Sequence, residues 1–398
     1  MPKYVFPAKA PQDAIDWFGS KKLKPSFDYR DVYREEHAYA FVVAKVMQMD
    51  VLQNIYDELN SALTNGYTFQ QFKKTLSPTL QKAGWWGEKE EIDPYTKESR
   101  VVQLGSPRRL KTIYRVNMRT SRAAGQWQRI ERTRKSHPYL VYELGASREH
   151  REQHVRWAGI ILPIDDPFWQ THYPPNGWGC KCRVRQVSKR EYQRLNATGR
   201  YLTEAPAIKR KEWVNKRSGE VLQVPEGIDP SFDMNVGTAR QHYIQNMITT
   251  KLNSSHAAIA NVAAKELVHS PAFAYFLSKP VGNYPVASMD ATLKRQLNAK
   301  QNTVLLSAET LIKQRRNHPE LTDDEYRLLP DVINTGAVIQ QGAQRIVFFS
   351  DDDRIYRAAV KTTTSDGENY IESFQRIDAR DFDREANRER LLRPEDIK

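Results

Sequence analysis

GWGCKCRVRQV, from Gly177 to Val187, holds both cysteines of a 398-residue chain, Cys180 and Cys182, one residue apart among lysine and arginine. Upstream, REHREQHVRWAG carries His154, and a Pro/Trp-rich loop, FWQTHYPPNGWG, joins the two stretches. Thiolates and a neutral imidazole are good zinc ligands, and tetrahedral zinc takes four donors. His154, Cys180 and Cys182 supply three, with His150, His172, Asp165 and Asp166 as spare donors. Alternate strand positions lie about 7 Å apart at Cα on one face, close enough to chelate. Two readings stay open: a structural zinc clip that pins the proline loop, or two reduced thiols packed beneath Trp178. No other cofactor is implied. Catalysis by Cys180 with His154 as base lacks an oxyanion hole or an orienting third group. GxGxxG, GxxxxGK[ST] and HExxH do not occur, so those nucleotide-binding and metalloprotease chemistries have no support.

The net charge of +13 is concentrated around this stretch. Residues 101–220 hold 25 Lys and Arg against 10 Asp and Glu, whereas residues 1–100 balance at 14 each. A cationic block of this size meets phosphate or an acidic protein surface, and it releases counterions when it meets DNA. The plainer alternative is a solvated basic surface. Arg115, Arg119, Arg122, Arg183 and Arg185 are the candidate nucleic-acid contacts. A mean hydropathy of -0.71 and the lack of a long apolar run predict no membrane span. MPKYVFPAKAPQDAIDWF lacks a signal-peptide pattern, so synthesis in a cytoplasm is expected.

Periodicity predicts an α+β chain. Residues 1–100 read as helical: 31–66 carries a stripe of Phe41, Val42, Met49, Leu52, Ile55, Tyr56 and Leu59, and Thr68 caps a helix that Pro78 interrupts. Residues 84–109 read as loop, and 111–135 as a long helix. Residues 101–240 form a second segment with β-prone 137–147, the cysteine strand, and a hairpin turning at Arg217-Ser218-Gly219. A helical linker, 241–284, leads to a small α+β segment, 285–380, and a charged tail, 381–398. The small segment has helices at 307–316 and 322–336, then antiparallel strands at 344–350, 354–364 and 369–377 joined by DDD and SDGE turns.

The cysteine clause and GIDPSFDMNVG (227–237), in that order, resemble the signature of the phage Mu F-type minor head proteins; Ser231 and Met234 depart from its commonest letters. The resemblance covers roughly residues 101–240. It implies a head morphogenesis protein made in a bacterial host's cytoplasm and resident in the virion. Its implied partners are portal protein, major capsid or scaffold protein, and packaged DNA.

In the last segment the period-2 rule sets Arg357, Ala359 and Lys361 on one strand face, opposite Tyr356, Ala358 and Val360. Two cations on one face can cradle a phosphate, and His318 has the natural pKa for proton transfer. Ser373 or Glu372 would join them from the next strand. Such a set can cleave RNA without metal; a capping histidine beside an exposed strand is the plainer reading. The order helix, HPEL, helix and three strands resembles the phage-borne domains of the barnase–EndoU–colicin–RelE nuclease superfamily. That resemblance puts His318, Lys361 and Ser373 on the catalytic polar positions, with Arg357 and Arg376 contacting phosphate. RNA cleavage as the main role, with the front half as its address, is the alternative function; a plain DNA-binding protein is a third.

Overall fold

The computed structural model describes residues 9–386, apart from 298, 342–343, 352–353 and 365–366. Most of the expected tail (387–398) and parts of the expected DDD and SDGE turns lie outside the described residues. The chain is α+β and divides into two compact units, Met1–Arg240 and Gln241–Lys398.

In the first unit, α1 (Gln12–Gly19), α2 (Met49–Asn65) and α3 (Phe69–Lys82) precede a hairpin of β1 (Glu88–Ile92) and β2 (Ser99–Gln103). The long α4 (Pro107–Arg132) follows. Next come β3 (Tyr139–Glu143), α5 (Glu152–Trp157), β4 (Ile161–Pro163), α6 (Phe168–His172), β5 (Arg183–Val187) and α7 (Lys189–Asn196), then the hairpin β6 (Arg210–Val214) and β7 (Val221–Pro225). Strands β4-β3-β5 make an antiparallel sheet. Leu140, Tyr142, Leu162 and Val184 face one core with Phe18, Leu52, Leu59 and Trp127, so the segments before and after residue 100 share their interior. Val141, Ile161 and Val187 face the other way, under Tyr139 and Tyr192, whose rings stack at 4.2 Å.

Several expectations need correction. The helix predicted for 31–66 is instead one short turn, Glu36–Tyr39, and a separate long helix that begins at Met49. Ahead of it, Ala40–Phe41 pairs in parallel with Lys22–Leu23, because the β-prone run after Tyr39 buries Phe41 as a strand. Met49 is exposed, and the buried stripe is Val51, Leu52, Ile55, Leu59, Ala62 and Leu63. Thr68 caps α3 with a full capping box, but Pro78 does not interrupt that helix. Pro78 is exposed, so the carbonyl it frees can meet solvent, while Phe72, Leu76 and Leu80 anchor the buried side. The stretch read as loop, 84–109, contains the β1–β2 hairpin, braced by buried Asp93 paired with Arg100 and Arg217.

The second unit opens with α8 (Ala239–Ser254, starting just before the boundary), α9 (Ala257–His269) and α10 (Pro271–Ser278). Strands β8 (Asn283–Ser288) and β9 (Thr303–Ser307), helices α11 (Ala308–Asn317), α12 (Asp323–Tyr326) and α13 (Leu329–Thr335), and strands β10 (Ala337–Gln341), β11 (Gln344–Asp351), β12 (Arg354–Thr362) and β13 (Asn369–Ile377) follow. A last helix, α14, spans Ala379–Ala386. The sheet order is β8-β9-β13-β12-β11-β10, with only the β9–β13 pair parallel. Strands β8, β9 and β10 were not expected: β8 and β9 are buried almost throughout, so no polar–apolar alternation marks them. One sheet face packs on helices through Leu311, Tyr326, Ile333, Tyr356 and Phe374. The other carries Ile339, Ile346, Phe348 and Ala359, with Phe382 of α14 against Phe348. Among the described residues no helix is long and apolar enough to cross a membrane.

Candidate functional site: a cationic cavity at the cysteine loop

Helix α4 starts cleanly: the Ser106 side chain accepts the Arg109 N–H at 3.3 Å and Pro107 occupies the first turn. Leu110, Met118, Ala124, Trp127 and Ile130 bury one face. Gly125 lies where α1 crosses, since a Cβ there would stand 2.7 Å from the Ala14 nitrogen. Arg115, Arg119, Arg122, Gln126 and Arg129 recur at three- and four-residue spacing and line a cavity of about 800 Å³. Lys181, Arg183 and both cysteines complete its wall, and no carboxylate is among its described lining residues. The four α4 arginines of this set share one helix face. Arg132 leaves the set and pairs with Asp13 at 2.8 Å. Burial lowers the Arg119 pKa and nearby Arg115 adds to that, while the two sulfurs oppose it.

The cysteine loop is tied to this helix. Arg119 donates to the Cys180 carbonyl, Gln126 to the Val184 carbonyl at 2.9 Å, and the Tyr173 hydroxyl to the Ala123 carbonyl at 2.9 Å. Gly145 permits the backbones to touch, because a Cβ there would collide with the Lys181 carbonyl.

Behind the cavity wall, α5 presents buried His154 to both sulfurs: Nδ1 lies 3.5 Å from Cys182 Sγ and 3.8 Å from Cys180 Sγ. The three ligand atoms all fall within 4.8 Å of one another. Nε2 meets the Gly227 carbonyl at 2.9 Å. A carbonyl only accepts, so Nε2 carries the proton and Nδ1 offers its lone pair to the sulfurs. The thiols compete for one negative charge: a hydrogen bond from Cys182 pulls the Cys180 pKa down, and the same bond together with burial pushes Cys182 up. Gly227 and Asp229 belong to the second sequence clause. Asp229 pairs with Arg151 at 2.8 Å, accepts the Trp178 N–H at 2.7 Å, and donates its own N–H to the Asn176 carbonyl at 3.0 Å. Trp178, in the same loop, is 46% exposed and meets Phe232 edge-on. None of the spare donors joins the cluster. His150 bonds the Gly145 carbonyl, His172 stacks on Phe168, Asp166 caps the Phe168 N–H, and Asp165 is exposed.

Residues 53–185 match the family model described as Phage Mu protein F like protein. That span includes α4, His154, both cysteines and Arg183. The putative capsid assembly protein F of Escherichia phage Mu is 40% identical over 185 residues, 46% of this chain and 42% of that protein. The Mu-like prophage FluMu F protein of Haemophilus influenzae is 37% identical over 164 residues, 41% of this chain and 38% of that protein. The chain therefore matches less than half the length of either relative. No solved structure matches it. Residues 53–185, all within the first unit, are thus similar to the Mu F-like model.

The other predicted residues are placed differently. Arg185 does not line the cavity; it is held by Glu143 at 2.8 Å and Glu191 at 2.6 Å. Arg183 lines the cavity but also pairs with Glu143 at 2.9 Å. In the second unit Arg376 is bound to buried Glu325 at 2.5 Å, which gives this guanidinium a structural partner. His318 ends α11 and contacts Glu320 at 3.2 Å. Lys361, Arg357 and Ser373 lie on the opposite sheet face, the one carrying Ala359, which Ser373 opposes. Lys361 contacts Glu372 at 3.9 Å. The fold thus groups Lys361, Arg357 and Ser373 on one sheet face, while His318 ends a helix whose Leu311 packs on the opposite face.

The sequence reading missed Arg129 and Lys181 as cavity residues, and Arg151, Gly227 and Asp229 as supports. Arg129 was legible as the next member of the α4 series; the rest needed the tertiary fold.

Proposed function

We propose that this chain is a phage head morphogenesis protein, a virion component made in the host cytoplasm that binds at the portal and capsid during assembly. The observation that carries this reading is the cationic cavity, most of whose described lining residues lie within the matched residues 53–185. A cluster of guanidinium groups around one cavity suits bidentate capture of carboxylates from an acidic segment. Portal, major capsid and scaffold proteins are the partners it fits. Packaged DNA is the weaker fit, because a cavity cannot follow a run of phosphates as a ridge or groove can. The alternative is a metal-independent ribonuclease effector in the second unit, with the front half as its address; there Lys361, Arg357 and Ser373 share one sheet face, and His318 ends α11.

The test is co-sedimentation of the purified chain with purified proheads and with isolated portal, from about 50 to about 500 mM salt. Binding that weakens with salt and is lost in Arg115→Glu/Arg122→Glu is expected. Binding to DNA alone, with no association to either particle component, would refute the reading.

A further inference from the structure

We propose that His154 Nδ1 and the thiolates of Cys180 and Cys182 hold a zinc ion, whose fourth position opens toward the arginine-lined cavity and is filled by water. This site stands on its own geometry, whatever docks in the cavity.

Zinc bound tetrahedrally, with bonds of about 2.3 Å to sulfur and about 2.0 Å to nitrogen, sets its nitrogen and sulfur ligands roughly 3.5 Å apart. The separations here are 3.5 and 3.8 Å. The ring is also oriented as metal-binding histidines are. Its remote nitrogen donates to the Gly227 carbonyl, which fixes the tautomer and aims the other lone pair at the sulfurs. Stacking on Trp157, at 4.9 Å between ring centres, holds the imidazole plane.

Two thiolates and an imidazole select a soft or borderline cation over magnesium or calcium, and two thiolates neutralise a divalent ion without further anions. All three ligands are buried, with exposures of 3%, 8% and 7% for His154, Cys180 and Cys182. Both cysteines nonetheless line the cavity while His154 does not, so the cavity side is where a fourth ligand can enter. The ion would tie α5 to the cysteine loop directly, and to the 227–229 loop through the Gly227 carbonyl. It would thus fix the wall against which Arg119 and Lys181 are arranged.

The test uses the full chain, purified without chelator and reconstituted with zinc alone or cobalt alone. We expect about one zinc per chain by elemental analysis. We also expect a thiolate-to-cobalt charge-transfer band with the visible absorption of a tetrahedral site. Cys180→Ser, Cys182→Ser and His154→Ala should each weaken zinc binding at least about tenfold. Should any variant fail to fold, the wild-type cobalt spectrum decides. Zinc well below one per chain after reconstitution, or cobalt bound without the thiolate band, would overturn the proposal.

Discussion

The Asp229 carboxylate accepts the backbone N–H of Trp178 at 2.7 Å, although 51 positions of sequence separate them. This bond, with the Arg151–Asp229 ion pair beside it, locks the second clause onto the cysteine loop. Gly177 allows the contact, because a Cβ there would strike both Asp229 and Arg151. Asp229→Ala should therefore cost about 1–2 kcal/mol, chiefly from the Trp178 amide left without its acceptor and the lost ion pair with Arg151. Asp229→Asn, which keeps an acceptor oxygen, should cost less. Urea denaturation followed by tryptophan fluorescence measures both; equal stability of wild type and Asp229→Ala would show that the clauses are not coupled.

The α1–α4 crossing gives a steric prediction. A Cβ on Gly125 would stand within 3.0 Å of the Ala14 nitrogen, Cα and Cβ, and Ala14 is fully buried. Gly125→Val should lower stability by about 2–3 kcal/mol through overpacking. A thermal melt unchanged from wild type would mean that α1 can move aside freely.

Acid should loosen the second unit through Glu325. Burial alone would raise its pKa, but Arg376, the Thr322 N–H and the Tyr356 hydroxyl outweigh that and hold it at about 2. A carboxylate depressed in the folded state contributes stability above its unfolded pKa, near 4.5, and loses it as pH falls toward 2. With solvent screening allowed for, roughly 2 kcal/mol should disappear across that window. In Glu325→Gln this part of the pH dependence should flatten, while stability at neutral pH falls because Arg376 is left without its anion. An unchanged slope between pH 5 and 2 in the variant would assign the acid response to other groups.

Much of the candidate site was legible, and the reasons are local. His154, Cys180 and Cys182 announce themselves by residue type within a short span, and the arginines of α4 by spacing along a helix. Strand β12 also showed its two faces, with Tyr356, Ala358 and Val360 in the helix-covered core and Ala359 on the other side. What stayed hidden depended on register or distant chain. The Gly227 carbonyl that orients His154 lies 73 residues away and has no side chain to mark it. Arg185 looked like Arg183 until sheet pairing set both beside Glu143 and α7 supplied Glu191. His318 looked adjacent to the cationic strand because β9, which carries the chain into the helical layer, lies in a short apolar run without alternation.

The central claim is that the α4 cavity attaches this chain to an assembling particle. Its most direct measurement is the amount of chain in purified heads when Arg115→Glu/Arg122→Glu replaces the wild type during phage growth, with melting temperature checked in parallel. Both side chains are exposed, so the variant should fold normally. At least about a tenfold drop in particle-bound chain is expected, equivalent to about 1.4 kcal/mol or more of lost binding. Heads carrying the folded variant at wild-type level would contradict it.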